Sequence, residues 1–384
     1  MLKNKLFFSL FFILCFAVFI SAQNQQVASV IHTQHKIDSQ ILGEERTILV
    51  RVPPGYQSGE KFPVIYMLDA HPPQNAMMVG LIEQQVWGGF MPEMIVVGIQ
   101  NTNRTRDMTP TKTERANSGG GENFMKFIEQ EVIPFVEKNY RIQPFRIFAG
   151  HSLGGLTAVY AFVTRPDLFN AYIAASPVLH WDNKYVIKRA EELFKQKRDF
   201  NKTLFITVGD EPDYMEGFNA FQDLLKKTKP KDLDFEFRQF KDENHASAVL
   251  PAYYHGLRKV FEGWQPPVSG SISDLENHYK KLSKRFGYEI FVPEDLLNRA
   301  GYAMLNAGKL PEAIELFRKN AANYPNSSNV YDSLGEAFEK NGQIKQAAEN
   351  YEKAYNLARA QSDEQRAEIY KKNLDRVSEK LKLK

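Results

Sequence analysis

The residues Gly150-His151-Ser152-Leu153-Gly154 place a serine between two glycines, after an apolar run (Phe145–Ala149) and before a helical pattern over Gly155–Phe162. In that strand–turn–helix context G-x-S-x-G predicts a nucleophile elbow. Side chains two residues before or after the serine would collide with the neighbouring strand and helix, and the tight turn lifts the hydroxyl out above the sheet. The chemistry is nucleophilic attack by Ser152 to form an acyl-serine. A hydroxyl is a weak nucleophile near neutral pH, so a base and a carboxylate that orients it must follow.

The chain order expected with such an elbow is serine, acid, histidine. Of the eight histidines, His245, His255 and His278 follow the serine and the later strands, and His180 comes too early. His278 lies beyond a composition break at Gln265–Ser271, and His255 lies in the expected helix Ala252–Phe261. His245 follows the expected strand Phe235–Phe240 in the loop Lys241-Asp242-Glu243-Asn244 and is assigned as the base. The acid belongs after the strand Thr203–Val208, where Gly209-Asp210-Glu211-Pro212-Asp213 turns the chain. Asp213 is favoured, Glu211 follows closely, and Asp210 is third because a residue just after the turn glycine serves as a helix cap. The acid's role is to hold the histidine tautomer and stabilise the imidazolium.

An oxyanion hole needs two N–H donors: that of Leu153, and one after the strand Phe62–Leu68, near Ala70 or His71. Arg104 and Arg106 follow the strand Met94–Ile99 at the sheet end where ligands bind in open α/β sheets. They are candidates to meet an anionic substrate group, with internal pairing within the loop as the competing reading. Gly119-Gly120-Gly121 lacks the Lys-Ser/Thr of a phosphate loop, and no G-x-G-x-x-G follows the first strand, which argues against a nucleotide cofactor. His32 and His35 have no clustered partners, so no metal site and no cofactor are expected.

The elements that must hold these residues are legible as β-rich runs at Thr47–Val52, Phe62–Leu68, Met94–Ile99, Phe145–Ala149, Ala171–Ala175, Thr203–Val208 and Phe235–Phe240, alternating with amphipathic stretches. Over Asn123–Tyr140, the residues Phe124, Phe127, Ile128, Val132 and Phe135 fall on one helical face. The alternation predicts an α/β fold with a mainly parallel sheet. From about 296 the pattern changes to helix alone with a 34-residue period: Gly301 recurs as Gly335, Gly308 as Gly342, Ala313 as Ala347, and Phe317 as Tyr351. Period and pattern resemble tetratricopeptide repeats, at about 296–329 and 330–361, with flanking helices expected at Ser273–Phe286 and Gln365–Leu381. Such repeats imply a protein partner or a packing module.

At 384 residues, with 43% hydrophobic and 12% aromatic content, the chain is long enough for two or three folded units and too apolar for disorder. The net charge of +3 is too small for a nucleic-acid footprint. Lys3 and Lys5 precede the apolar run Leu6–Ile20 and the small pair Ser21-Ala22, so residues 1–22 are expected to be a signal peptide and the protein secreted or periplasmic. The single cysteine, Cys15, falls within that run, which excludes a thiol nucleophile from the mature chain. A catalytic domain is expected at 28–265, a linker at 266–273 and a helical region at 274–384.

Gly150–Gly155, Tyr66-Met67-Leu68-Asp69, Gly98–Asp107, and Ser176-Pro177 with Trp181 together resemble the putative-esterase family of α/β-hydrolases, which includes enterochelin-esterase-like, esterase D-like and feruloyl-esterase-like enzymes. The resemblance spans about Thr33–Trp264. It implies an α/β-hydrolase fold and carboxylic-ester hydrolysis with Ser152 as nucleophile and His245 as base, and it adds Trp181 to the substrate-side residues. Pro212 stands where some relatives carry a carboxylate. Siderophore esters, polysaccharide-linked feruloyl or acetyl esters and other small esters are the candidate substrates. An acyltransferase using the same acyl-serine, or an idle hydrolase scaffold for protein binding, are the alternative readings.

Overall fold

The computed structural model describes residues 32–196, 199–267 and 271–382. The expected signal peptide and part of the expected linker lie outside the described residues. Eight strands form one sheet in the order β1-β2-β4-β3-β5-β6-β7-β8. They are β1 (Thr33–Ser39), β2 (Glu44–Arg51), β3 (Phe62–Met67), β4 (Ile95–Ile99), β5 (Ile142–His151), β6 (Ala171–Ala175), β7 (Asp199–Val208) and β8 (Lys231–Gln239). β1 and β2 are antiparallel, and every pairing from β4 through β8 is parallel. β1 is the strand that the sequence did not announce. It is an edge strand whose residues, Ile37 apart, are polar, so it carries no apolar signal.

The central strands feed both faces because successive side chains point to opposite sides. Val64, Tyr66 and Leu68 enter the core on one face, and Ile65 and Met67 enter the core on the other. Phe148 and Tyr172 follow the first set, and Ile147 and Ile173 the second. The covering helices are α1 (Pro72–Trp87), α2 (121–139), α3 (Leu153–Thr164), α4 (Trp181–Gln196), α5 (Pro212–Thr228) and α6 (Val249–Val260). The middle of α2 is a π turn over Ile128–Val132, next to Pro134, whose missing N–H cannot serve the carbonyl four residues back. With the parallel sheet between helical layers, this is the α/β-hydrolase fold, followed by an all-helical region.

That region comprises α7 (Ile272–Phe286), α8 (Glu294–Asn306), α9 (Leu310–Asn323), α10 (Ser328–Lys340), α11 (Ile344–Ala360) and α12 (Glu364–Lys382). Two hairpins, α8–α9 and α10–α11, are built alike. A Cβ on Gly301 would lie 2.5 Å from the Phe317 ring, and one on Gly335 would lie 2.9 Å from the Tyr351 ring, so each helix pair closes on a glycine. Gly308 and Gly342 both take φ +74° at the turn between helices, where a side chain would be strained. The 34-residue period therefore recurs as one repeated contact and one repeated turn.

The first helix of this region is part of the hydrolase core. Tyr279, Leu282 and Phe286 of α7 are buried together with Phe145 and Phe261. Phe286 meets Phe145 edge-on at 4.9 Å and stacks on Phe261 at 5.3 Å. Phe145 lies in the N-terminal half of β5 and Ser152 follows the C-terminal end of that strand, so the helical region is anchored at the end of the sheet opposite Ser152.

Candidate active site

Ser152 sits between the last residue of β5 and the first of α3, with φ 59° and ψ −115°. A non-glycine residue there is strained by roughly 1–3 kcal/mol and is retained where its surroundings over-determine it. They do: the Ser152 N–H donates to Ala175 O at 2.9 Å, and its carbonyl accepts from Leu156 N at 2.9 Å. A Cβ on Gly150 would fall 2.3 Å from Gly154 O, and one on Gly155 would fall 2.8 Å from Ala175 O. At positions 150 and 155 the bend admits nothing larger than hydrogen.

His245 lies in the loop after β8. Asn244 ties that loop by accepting from the N–H groups of Ala246 at 3.0 Å and Ser247 at 3.1 Å. The His245 Nδ1 is paired with Glu211 Oε2, with the histidine side chain 38% exposed and the carboxylate 5% exposed. The other Glu211 oxygen accepts from Ser176 Oγ at 2.5 Å and from the Gly209 N–H at 2.8 Å. Burial alone would raise this carboxyl, but hydrogen bonds from Ser176, His245 and Gly209 outweigh it and hold the group below its ordinary value. It is an ionised, fully partnered acceptor behind the imidazole.

The carboxylate facing His245 is thus Glu211, which corrects the preference for Asp213. Asp213 and Asp210 are both exposed. Glu211 is the last residue before α5, with its chain still extended, and Pro212 then starts the helix. This puts Asp213 in the first helical turn, where a solvated carboxylate suits the positive end of the helix dipole.

The second oxyanion donor expected after β3 is also corrected. The Ala70 N–H donates to Ile99 O at 3.2 Å, and the His71 N–H donates to Asp69 O at 3.0 Å. Leu153 opens α3, where first-turn N–H groups have no partner within the helix.

Both arginines are paired within the chain. Arg104 grips Asp69 with two hydrogen bonds, Nε to Oδ1 at 2.6 Å and a terminal nitrogen to Oδ2 at 2.9 Å, and reaches His151 O at 3.1 Å. It braces the end of β5 and is still one-third exposed, at 35%. Arg106 is bound to Glu44 at 2.6 Å and Asp107 at 2.7 Å. Asp107 in turn meets the fully buried Arg46 at 2.6 Å. The Arg106-Asp107 segment is a structural knot joining the loop after β4 to β2, which removes Arg106 from the substrate side. Trp181 is buried in the core, and its indole N–H donates to Thr111 Oγ1 at 3.0 Å, so it too is a packing residue.

Three residues that the sequence did not single out for the site join it. Ser176 supports Glu211. His151 packs its ring 4.5 Å from that of His245 and bonds through Nε2 to the His245 carbonyl at 2.8 Å. Burial and the neighbouring His245 push His151 down to about 4. Tyr214 lays its ring 4.9 Å from His245, with its side chain beside that of Ser152. Ser176 and His151 lie within sequence motifs already noted, whereas Tyr214 is visible only once Glu211 is seated.

Residues 39–266 match the family described as "Putative esterase". The chain is 30% identical over 223 residues to the ferri-bacillibactin esterase BesA of Bacillus subtilis, covering 50% of this chain and 75% of that protein. It is 26% identical over 196 residues to the siderophore triacetylfusarinine C esterase of Aspergillus fumigatus, covering 44% and 67% respectively. Among solved structures, an IroE-like serine hydrolase from Shewanella oneidensis superposes with TM-score 0.67 at 29% identity, over 77% of this chain and all (100%) of that one. An uncharacterised protein from Capnocytophaga ochracea, at 18% identity and TM-score 0.61, shares the fold over 91% of this chain and 99% of its own.

Proposed function

The chain belongs to the putative-esterase family, and from that premise we propose that it hydrolyses carboxylic esters through an acyl-Ser152 intermediate. Ser152 is the nucleophile, His245 the base and Glu211 the carboxylate that fixes the imidazole. The observation that carries this reading is the Glu211–His245 pair, held beside a strained serine elbow.

An ionised carboxylate can only accept, so neutral His245 carries its proton on Nδ1 and leaves Nε2 free to take the Ser152 proton. Among the described residues no hydrogen bond joins Ser152 to His245, so attack requires the serine hydroxyl to turn towards the imidazole. Such a bond often forms only when substrate is bound. The acyl-enzyme is then cleared by water activated at the same Nε2, with the oxyanion facing the Leu153 N–H.

The substrate class we propose is a siderophore ester, by analogy with the relatives named above. We further propose export by the N-terminal segment, and that the tetratricopeptide-like tail docks a protein partner while its first helix stays packed on the core. Among the described residues no helix is long and apolar enough to cross a membrane.

The test is hydrolysis of p-nitrophenyl butyrate and of a ferric siderophore ester by wild type and Ser152→Ala, with mass spectrometry of a fluorophosphonate adduct. Loss of both activities and of the adduct in the variant is expected. Equal rates in the two proteins would remove the assignment.

A further inference from the structure

Tyr214 occupies a position that neither the nucleophile, the base nor the acid explains. It lies in the first turn of α5, and its N–H donates to Glu211 O at 3.0 Å, so the phenol and the proposed acid are locked in one turn. The ring is held between two imidazoles, 4.9 Å from His245 and 5.4 Å from His180, the latter edge-on at 88°. Its phenol neighbours the Ser152 side chain. Glu211 and Tyr214 follow β7, and His245 follows β8. Asp69 and Arg104 follow β3 and β4, on the other side of β5. Tyr214 therefore approaches Ser152 from the flank of the base, away from the loop after β3.

That flank has a defined chemical meaning. In the tetrahedral intermediate the alcohol oxygen is bonded to the same carbon as Ser152 Oγ, and it must also be within reach of His245 Nε2, which protonates it. A phenol beside Ser152 whose ring packs on His245 borders that small volume. We propose that the Tyr214 hydroxyl is a catalytic hydrogen-bond donor to the departing alcohol oxygen of the ester. The inference rests on the acyl-Ser152 reading above.

The step balances without any further reactant. Ser152 Oγ bonds to the carbonyl carbon and its proton passes to His245 Nε2. The bond from that carbon to the alcohol oxygen then breaks, its electron pair stays on the oxygen, and the oxygen takes the proton from Nε2. Tyr214 keeps its own proton and shares it as a hydrogen bond while negative charge gathers on the oxygen. Burial raises the phenol above its ordinary value, so it remains a donor across the neutral range.

The experiment is a leaving-group series on the full-length protein: butyrate esters of p-nitrophenol, phenol and ethanol, with kcat/KM as the readout because it reports acylation alone. Nitrophenolate leaves with little help, whereas ethoxide needs a proton and a donor. Tyr214→Phe should lower kcat/KM on the ethyl ester by roughly tenfold or more beyond any change on the nitrophenyl ester, the scale of one hydrogen bond made only as the bond breaks. Site-specific replacement of Tyr214 by a fluorotyrosine, a more acidic phenol in the same ring, should change the ratio of kcat/KM between the ethyl and nitrophenyl esters. This second variant decides the matter if Tyr214→Phe melts early. A uniform loss across the series, or none, overturns the inference while leaving a Ser152-dependent esterase intact. An inactive wild type, or an active Ser152→Ala, overturns the esterase reading and this inference with it.

Discussion

His151 Nε2 bonds to the main-chain carbonyl of His245 at 2.8 Å, linking the residue before the elbow serine to the backbone of the proposed base across 94 positions of sequence. A carbonyl only accepts, so Nε2 carries the proton and His151 is the donor. Nε2 keeps that proton in the charged ring as well, so the bond itself favours the imidazolium; burial and the neighbouring His245 outweigh it and lower His151 to about 4.

Acidification should therefore destabilise the fold by placing a charge on this buried ring. The folded His151 binds its proton less readily than the unfolded one, whose ordinary value is 6.5. Between those values the unfolded chain holds more protons, so stability is complete above 6.5 and falls as pH drops towards about 4, by on the order of 2–3 kcal/mol. His245 and Arg104 oppose the charged ring and Asp69 favours it. Glu211 also loses stabilisation in acid, but below 4.5, because its folded value is depressed. Urea unfolding of wild type and His151→Gln from pH 7.5 to 4 should give curves that converge as the pH falls. A pH-independent gap would refute the idea.

Glu211→Gln should lower kcat by about 10²- to 10⁴-fold, because an amide no longer demands the Nδ1–H tautomer. Asp213→Asn, at an exposed position, should leave kcat within about twofold of wild type. Steady-state kinetics on one activated ester separates the two carboxylates.

Asp107→Ala should act on stability. Arg46 is fully buried beneath Asp107 and lies over the rings of Phe124 and Phe127 at 5.4 and 5.3 Å. Removing its carboxylate leaves a buried cation short of partners, at about 3–5 kcal/mol. Denaturant unfolding measures the loss, and the double replacement Arg46→Met with Asp107→Leu should recover much of it.

Phe286→Ala should cost about 3–5 kcal/mol through the cavity left between Phe145 and Phe261. Because this cluster lies at the sheet end opposite Ser152, kcat/KM should stay within about twofold below the melting range. A proportionate fall in kcat/KM would show that the helical region reaches the site.

The sequence alone determined the features whose constraints are local or periodic. Gly150 marks the bend because the collision it avoids is with Gly154, four positions away. The buried strands are legible because alternate residues must enter opposite cores, and the helical hairpins because Gly301 and Gly335 meet Phe317 and Tyr351 sixteen residues on in each copy. The tertiary structure alone decided everything that depends on which distant groups share a space. Three carboxylates crowd Gly209–Asp213, and only the position of Pro212 at the start of α5, seen against a loop 34 residues later, selects Glu211 for His245. Arg106 and Trp181 have the chemistry of substrate contacts until Glu44, Asp107 and Thr111 are brought against them. Tyr214 has no local signature, because its role comes from the sheet order that sets it on the base's side of Ser152.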